Sequence, residues 1–513
     1  MSSRSAALLA TRLPGTGAIV AGLAVAVVVV AALAPVIRRD PRAFPLLAVF
    51  TLPFRVPIAT DGRTVNLLVP LYLVVAAGTL TLLLPRWLGR SRASTRAGAP
   101  ARPEEASAAP LRPAQARPTL RRPRTWLTPR GLEWILLAAV ALYVLQASYS
   151  ADRVKALENV AFFYVPFGLL FLLLRDVRWT RELIARCLGV AVTLAVLFAG
   201  VGFVEYARKS LFLNPKVVAA DQYSNYFRVN SVFFDPSIYG RFLALVMIAV
   251  MTAVLAAGRG LGGPGAGPDE RALRARRGQV HARREMLAGA AVLAWLLGGM
   301  VTSFSQSSIA ALLLGLAVLA AWSWGVRPTL YVSGTLLVLA LAFVLLAPAS
   351  LHFGLKGAKG SAANATSGRT TLIGGGLELF AKRPLEGYGS GSFETEYKRH
   401  SATDAANAAS ASHTIPITIA AEQGVVGLAL YASLLVSAFA VLFRGAGRSP
   451  PRIAIAACFA ALVLHTWTYA DFLEDPFTWA LLAAGLALAR AGGAGAGGAG
   501  VPVREADAPV GSV

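Results

Sequence analysis

The chain has 513 residues, of which 56% are hydrophobic and only 15% are charged, and its mean hydropathy is +0.59. This balance excludes a disordered chain and an ordinary soluble enzyme, because a soluble domain needs more charge to cover its surface. Apolar runs of about 17–25 residues recur almost from end to end, and a helix needs that length to cross the hydrocarbon core of a bilayer. The sequence therefore predicts a polytopic membrane protein.

The formal net charge of +23 is concentrated in two stretches. Residues 86–130 hold eleven arginines against Glu104 and Glu105, and residues 258–285 hold seven arginines against three acids. Such charge would also suit nucleic acid, but in a multispan chain it is typical of cytoplasmic loops that follow the positive-inside rule. We therefore expect no nucleic-acid partner. The two cysteines lie in apolar segments and suggest neither a disulfide nor a metal site.

The apolar runs define about thirteen candidate spans. In chain order they cover residues 17–36, 43–60, 64–84, 131–149, 154–174, 183–206, 234–257, 286–303, 307–324, 329–347, 415–441, 452–470 and 476–490. They are continuous Leu, Ala and Val runs without the alternation of barrel strands, and a lipid environment requires the backbone to satisfy its own hydrogen bonds. The predicted fold class is all-α, with about 12–13 transmembrane helices and one large extracytoplasmic loop.

The second candidate span, 43–60, is the weakest, since three prolines and Arg55 interrupt it. Three full spans before a cytoplasmic 86–130 stretch would place the N-terminus outside, despite Arg4 and Arg12. We therefore expect one early segment to be a partial span.

The predicted domain organisation has four parts. Residues 1–85 form N-terminal transmembrane segments, and 86–130, which is rich in Arg, Pro, Ala and Ser, forms a disordered basic cytoplasmic linker. Residues 131–490 form the membrane core, and 491–513 form a disordered C-terminal tail.

Placing the arginine-rich loops in the cytoplasm fixes the side of every later loop. Residues 207–233, the short Ser303–Ser307 turn and the 67-residue stretch 348–414 then lie outside. We expect the functional residues in and beside these outer segments.

The 348–414 stretch and its borders carry the densest set of unusual residues. Arg369 and Arg383 precede glycines at 387, 389 and 391, and His413 is followed nine residues later by Glu422. Glycine permits backbone conformations and close approaches that other residues do not, so 387–391 predicts a turn built against another element or a substrate.

A second group lies at the outer end of the 234–257 span. Arg228 precedes Asp235-Pro236, a pair that can begin a helix. Arg241 then falls about two turns inside the membrane segment, where an unpaired guanidinium costs ~2.5–3.5 kcal/mol or more. Arg241 should therefore face protein or a polar cavity.

Several familiar chemistries have no motif here. No two aspartates have the Asp-x-Asp spacing of a nucleotide-sugar glycosyltransferase, and neither a phosphate loop nor a His-Glu-x-x-His pattern is found.

In combination, the ordered motifs resemble the O-antigen ligase and O-antigen polymerase superfamily of bacterial envelope enzymes. The resemblance covers roughly residues 130–490. It is carried by Arg228 with Phe233-x-Asp235-Pro236, a serine-rich helix start at 303–308, Gly368-Arg369, Pro384-Leu-x-Gly-x-Gly-x-Gly-x-Phe393, His413 and Glu422-x-Gly-x-x-Gly427. The chain departs from the family pattern at Ser231, Ser237, Gln306 and Thr414, where a Gly, an Asn, an Arg and an Asn are usual.

This resemblance implies transfer of a glycan from an undecaprenyl-diphosphate carrier to an acceptor hydroxyl, at the outer face of the bacterial cytoplasmic membrane. It implies no metal and no cofactor. Arginine suits a diphosphate because its planar guanidinium stays charged, and histidine titrates in the range useful for taking a hydroxyl proton. The expected catalytic residues are His413 and Arg369. The expected contacts to diphosphate or glycan are Arg228, Arg241, Arg383, Gly387, Gly389, Gly391 and Glu422.

Plainer interpretations remain open for these residues. His413 can cap a helix, and Arg369 can form ion pairs with nearby acids of the loop. Arg228 can lie at the lipid headgroup boundary, and Glu422 can orient a neighbouring side chain. His465, Asp471, Glu474 and Asp475, at the outer end of a span, are further candidates to line the same cavity. The alternative function is a transporter or flippase of lipid-linked oligosaccharide, and the residues do not separate a polymerase from a ligase.

Overall fold

The computed structural model describes residues 16–60, 63–88, 126–212, 227–259, 268–346, 369–400, 412 and 414–497. Most of the predicted linker and tail, and parts of the outer loop, lie outside these residues. The helices are α1 (Thr16–Arg39), α2 (Ala43–Thr51), α3 (Val69–Leu88), α4 (Pro129–Ala147), α5 (Arg153–Leu174), α6 (Arg181–Arg208), α7 (Pro236–Arg259), α8 (Pro268–Thr302), α9 (Gln306–Trp324), α10 (Val326–Leu346), α11 (Arg369–Lys382), α12 (Phe393–His400), α13 (Ile415–Phe443), α14 (Pro450–Thr468) and α15 (Pro476–Gly497).

The helical membrane architecture is confirmed. Ten helices in the described ranges are long and apolar enough to cross a bilayer. Helices α10 and α15 are 21 and 22 residues long, which is also the length of a span. The end of the bundle that the arginine-rich stretches predict to be extracytoplasmic is called the outer end below, and the opposite end is called the inner end.

The weak second span is a crossing of unusual construction. Asp40 and Arg42, which follow α1, line one cavity with Arg86 and Asp176, and Arg86 forms an ion pair with Asp176 at 3.1 Å. The ends of α1 and α3 and the α5–α6 connection therefore lie together at the inner end. The chain must cross the bundle once between α1 and α3.

Residues 43–55 make that crossing, although only the nine residues of α2 are helical. The Phe54 ring packs edge-on against Phe198, with centroids 5.7 Å apart, and the Arg55 guanidinium lies 4.8 Å from the centre of the Phe234 ring at the outer end. Leu52 still has helical backbone angles, but the hydrogen-bond ladder of α2 ends there because Pro53 has no N–H to donate. The helix is shorter than a full span, as expected, but the chain nevertheless crosses the bundle here.

A two-stranded antiparallel hairpin follows the crossing. Strands β1 (Val56–Thr60) and β2 (Arg63–Leu67) pair with Val56 opposite Leu67, and α3 then returns to the inner end. Since α1 and α3 both end there, three crossings precede the predicted linker, and Thr16, which begins α1, lies toward the outer end.

Helix α8 begins earlier than expected. It has 35 residues and starts at Pro268, whereas its membrane-spanning part starts at Arg283. The stretch 258–285, which we predicted as a loop, is therefore helical from 268 onward. Proline suits the first turn of a helix, and the Ala, Arg and Glu residues after it are good helix formers.

Helices α7 and α14 lie at the centre of the bundle, and 61% of each span is buried. Helix α7 packs against α8, α9 and α14. Because these two helices expose little surface to lipid, polar side chains on them face protein. Arg241 on α7 and His465 on α14 are both buried.

Helix α5 carries a π turn over Val160–Tyr164. The turn ends two residues before Pro166, which has no N–H to continue a regular helical hydrogen-bond ladder. It also directly follows Asn159, a buried polar residue. This local widening of the helix places Asn159 and Tyr164 on one side of a cavity described below.

The three-crossing arrangement gives the first prediction. Single cysteines introduced at Arg42 and Arg178 will react with a membrane-impermeant maleimide from the inner side only, and one at Lys398 from the outer side only. Native Cys187 and Cys458 are buried and give a low background.

The measurement compares labelling of intact cells with labelling of inverted vesicles. Outer-side labelling at Arg42 would show that residues 43–55 do not cross.

Candidate active site

The glycine-rich turn of the outer loop is built against protein. Gly387, Gly389 and Gly391 have φ angles of 66°, 92° and 73°, a region that favours glycine. A Cβ added to Gly387 would lie 2.3 Å from the Glu422 carbonyl oxygen, and one added to Gly389 would lie 2.4 Å from Ser150 Cα. The prediction of a turn packed against another element is confirmed.

The surface that receives this turn is a kink in α13. Gly424 has φ 65° and ψ −162° inside the helix, so the backbone groups around it do not all bond within the helix. The Val425 N–H donates to the Pro384 carbonyl at 2.7 Å, and the Gly389 N–H donates to the Glu422 carbonyl at 2.8 Å. The kink and the turn therefore satisfy each other's backbone hydrogen-bonding groups.

The Glu422 side chain fastens the end of the turn. Its two carboxylate oxygens accept hydrogen bonds from the Gly391 and Phe393 N–H groups, both at 3.0 Å. Phe393 begins α12, where an acceptor for the first N–H groups is required. The Glu422 geometry favours a positioning role within the predicted substrate-binding set.

The connection between α4 and α5 holds the turn from the other side. The Ser150 hydroxyl donates to the Ser390 carbonyl at 2.8 Å, and the Ala151 N–H donates to the Tyr388 carbonyl at 3.1 Å. Asp152 caps α5 by accepting from the Lys155 N–H at 3.0 Å, and it also accepts from the Thr395 hydroxyl at 3.1 Å.

Between these elements lies a cavity of about 130 Å³, which we call the outer cavity. Its walls come from α4, α5, α12, the start of α13 and the connection between α14 and α15. Its polar lining residues are Tyr143, Asp152, Lys155, Asn159, Tyr164, Glu394, Thr395, Lys398, Thr418, Glu422, Asp471 and Glu474.

A hydrogen bond joins two lining residues of the outer cavity, Asn159 and Glu474. The Asn159 side-chain amide donates to Glu474 Oε1 at 2.9 Å. Burial raises the pKa of the Glu474 carboxyl to about 7, and the nearby negative charge of Asp471 adds to the increase, which Lys155 and Arg55 oppose. The carboxyl therefore changes charge near neutral pH.

A second polar cluster lies on the other side of the 471–475 connection. Arg241 forms an ion pair with Asp475, and the two residues are 1% and 0% exposed. Arg241 therefore faces protein, as the cost of an unpaired intramembrane charge requires.

His465 belongs to this second cluster. Its Nε2 lies 3.3 Å from the hydroxyls of Ser307 and Ser308 and 3.2 Å from the Ser237 carbonyl oxygen. Of the candidates at the end of α14, Asp471 and Glu474 line the outer cavity, whereas His465 and Asp475 face the serines and Arg241.

The remaining predicted arginines lie around these two clusters. Arg228 Nε donates to the Ser303 carbonyl at 3.2 Å, which ties the residues before α7 to the connection between α8 and α9. The Arg383 guanidinium lies 4.6 Å from the centre of the Tyr388 ring. Arg369 is the first residue of α11, but its side chain, like the whole of His413, lies outside the described part of the chain.

Ser231 explains one departure from the family pattern. Its φ angle is 52°, a conformation that glycine adopts more easily. Its N–H donates to Glu205 at 2.8 Å and its hydroxyl donates to the Phe198 carbonyl at 2.8 Å. Serine is accommodated here because local hydrogen bonds hold the conformation.

Sequence reasoning missed Asp152, Lys155 and Asn159. All three are at the outer end of α5, which we treated as an ordinary apolar span. A polar amide beside a long apolar run is itself a signal, because polar groups in membrane segments usually face the protein interior.

A family model described as O-antigen ligase matches residues 291–432. This match supports the resemblance of the chain to the O-antigen ligase and polymerase superfamily. The matched residues include α9, α11, the glycine-rich turn, α12 and the kinked half of α13, and they indicate a membrane enzyme that joins or polymerises glycans. No curated protein and no solved structure matches the chain.

The glycine-rich turn gives the second prediction. Gly387→Ala will lower the stability of the protein, because an L residue at positive φ costs about 1–2 kcal/mol and the new Cβ meets the Glu422 carbonyl. The measurement is the melting temperature of purified protein in detergent.

The matched control is Gly374→Ala on α11, where an added Cβ meets nothing within 4 Å. Equal melting temperatures for the two variants would contradict the packing of the turn against α13.

The Glu474 pKa gives the third prediction. The folded protein binds this proton more tightly than the unfolded chain, whose carboxyl has a pKa near 4.5. The free energy of unfolding therefore falls as pH rises from about 4.5 to about 7, and this group causes no further loss above that. Glu474→Gln removes the dependence.

The melting temperature of Glu474→Gln relative to wild type should accordingly rise between about pH 5 and 7 and then level off. Glu182→Gln, at an exposed inner position, serves as the control and should track the wild type. Parallel curves for Glu474→Gln and wild type would contradict the raised pKa.

Proposed function

We propose that this protein transfers a glycan from an undecaprenyl-diphosphate carrier to an acceptor hydroxyl at the outer face of the cytoplasmic membrane. The observation that carries the proposal is the family match over 291–432, which includes Arg369, His413 and the turn that α13 receives. The acceptor is a second glycan chain in a polymerase, or a different envelope molecule in a ligase.

In this scheme the reaction is a direct displacement at the first sugar of the donor. The acceptor oxygen forms a bond to the anomeric carbon, and the bond from that carbon to the diphosphate breaks. His413 takes the acceptor proton, and Arg369 stabilises the negative charge that develops on the leaving diphosphate. Both roles follow from ordinary acid–base and electrostatic catalysis.

The other proposed contacts divide between the two sides of the site. Arg228 lies at the outer end of α7, where the headgroup of a carrier lipid would arrive, and Arg383 lies in the outer loop. Arg241 already forms an ion pair with Asp475. We therefore propose that it affects diphosphate binding through the electrostatic potential of this pair and not by direct contact. We propose fixed arginines in place of a metal ion.

Gly387, Gly389, Gly391 and Glu422 support the site through the backbone of the turn. Their hydrogen bonds and close approaches to α13 and Ser150 hold the outer loop on the bundle. They would therefore act on the substrate through the position of the loop.

The fourth prediction tests the proposed reaction. Purified protein in detergent, supplied with a defined undecaprenyl-diphosphate oligosaccharide, will form longer carrier-linked products if it is a polymerase, and will need an added acceptor if it is a ligase. His413→Ala and Arg369→Ala should each lower the rate by about 100-fold or more, in line with typical general-base and charge-stabilising contributions. Products are followed by gel and mass spectrometry.

Arg186→Ala is the matched control for the arginine variant, since Arg186 pairs with Glu182 at the inner end, away from the outer loop. Chelator should leave the wild-type rate unchanged. Full activity of both His413→Ala and Arg369→Ala would exclude the mechanism, and donor movement across vesicles without transfer would favour a flippase.

A further inference from the structure

The outer cavity contains groups for which the proposed reaction has no use. Its lining includes Asn159 and Glu474, Lys155 and Asp152 of the α5 end, and Glu394 and Lys398 of α12. Neither Asn159 nor Glu474 lies in the 291–432 segment that the family model matches. The wall opposite α13 is therefore particular to the parts of the chain outside that match.

The charge of the outer cavity selects the kind of ligand. Its ionisable lining groups other than tyrosine are two lysines, Lys155 and Lys398, and five acids, Asp152, Glu394, Glu422, Asp471 and Glu474. Lys398 is already paired with Glu394 at 2.6 Å. An excess of carboxylates repels a diphosphate, but carboxylates accept hydrogen bonds well from neutral hydroxyl groups.

Asn159 supplies the observation that points to a bound molecule. Its side chain is 3% exposed, its amide nitrogen is used by Glu474, and its Oδ1 has no hydrogen-bond partner within the described residues. A buried amide oxygen without a partner is costly. A hydroxyl donor in the cavity would satisfy it, next to a carboxylate that also accepts.

The remaining walls and the size fit a sugar ring. Tyr143 and Tyr164 pack together with ring centroids 4.5 Å apart and line the cavity with Phe472. Aromatic walls with a few convergent polar groups are typical of small-molecule sites. A volume of about 130 Å³ is close to the roughly 150 Å³ cavity that binds benzene, so it matches a single six-membered ring.

We propose that the outer cavity binds one neutral sugar ring of the acceptor glycan, with Asn159 and Glu474 accepting hydrogen bonds from neighbouring sugar hydroxyls. The inference rests on the proposed transfer reaction and deepens it. It assigns the acceptor to the acidic cavity and leaves the donor diphosphate to the arginines. Asn159 and Glu474 then determine which acceptor sugars are used.

The experiment measures binding and transfer separately. The first probe is the lipid-free oligosaccharide released from the carrier-linked glycan of the source cells, and its binding to full-length protein in detergent is measured by calorimetry. The second probe is undecaprenyl diphosphate without sugar. Asn159→Ala and Glu474→Gln are compared with Glu182→Gln, which makes the same carboxyl-to-amide change at the inner end.

The expected result is that wild type and Glu182→Gln bind the oligosaccharide alike, whereas Asn159→Ala and Glu474→Gln bind it about 10-fold to 100-fold more weakly, as loss of hydrogen bonds to charged or buried groups implies. Binding of undecaprenyl diphosphate should be the same in all four proteins. In the transfer assay the two cavity variants should raise the KM for acceptor and leave kcat within about threefold, a split that general loss of structure would not give.

Equal oligosaccharide binding in wild type and both variants would overturn the inference. So would a parallel loss of undecaprenyl diphosphate binding, which would place the donor headgroup in the cavity. Because Glu474→Gln can still accept from Asn159, it tests the inference even if Asn159→Ala fails to fold. Absence of transfer by a wild type that binds the oligosaccharide would count against the proposed function instead.

Discussion

The attachment of the outer loop to the kink in α13 is the constraint on which the rest of the site depends. A glycine at 424 breaks the helix, and the carbonyl and carboxylate of Glu422 then bind the backbone of the turn that contains Gly389 and Gly391. The α4–α5 connection holds the same turn from the other side, through Ser150 and Ala151. The position of the described loop residues therefore follows from these two attachments.

The second constraint is electrostatic. Charges inside a membrane protein interact strongly because little water screens them. The placement of each charged side chain therefore decides which ligand charges a site can accept. Here five acids and two lysines line the outer cavity, while Arg241 pairs with Asp475, which is not among the lining residues. Under the proposed function, this separation would give a diphosphate and a neutral sugar different places to bind.

The sequence predicted those features that depend on local backbone or on the cost of burying charge. Positive φ at Gly387 and Gly389 follows from glycine spacing, and the burial of Arg241 follows from its depth in a span. The partner of Arg241 could not be predicted, because Asp475 is on another helix connection far along the chain. Asn159 was missed because one amide does not change the hydropathy of α5.

Other differences have equally local reasons. The crossing at 43–55 was recognised as weak from its prolines, but no sequence pattern indicated that extended backbone would complete it. The early start of α8 was hidden because its first turns are polar and extend beyond the membrane. The roles of His413 and Arg369 rest on the ordered motifs alone, since their side chains lie outside the described residues.

The connection between α14 and α15 links the two halves of the site. Asp471 adopts a φ of 68°, Glu474 faces the outer cavity, and Asp475 pairs with Arg241 on the other side. Glu474 lies in a turn and Asp475 directly precedes α15, so two neighbouring residues contact the outer cavity and the buried Arg241. If the outer cavity binds the acceptor as proposed, a shift of this connection on binding would also move Asp475 and with it the negative charge beside Arg241.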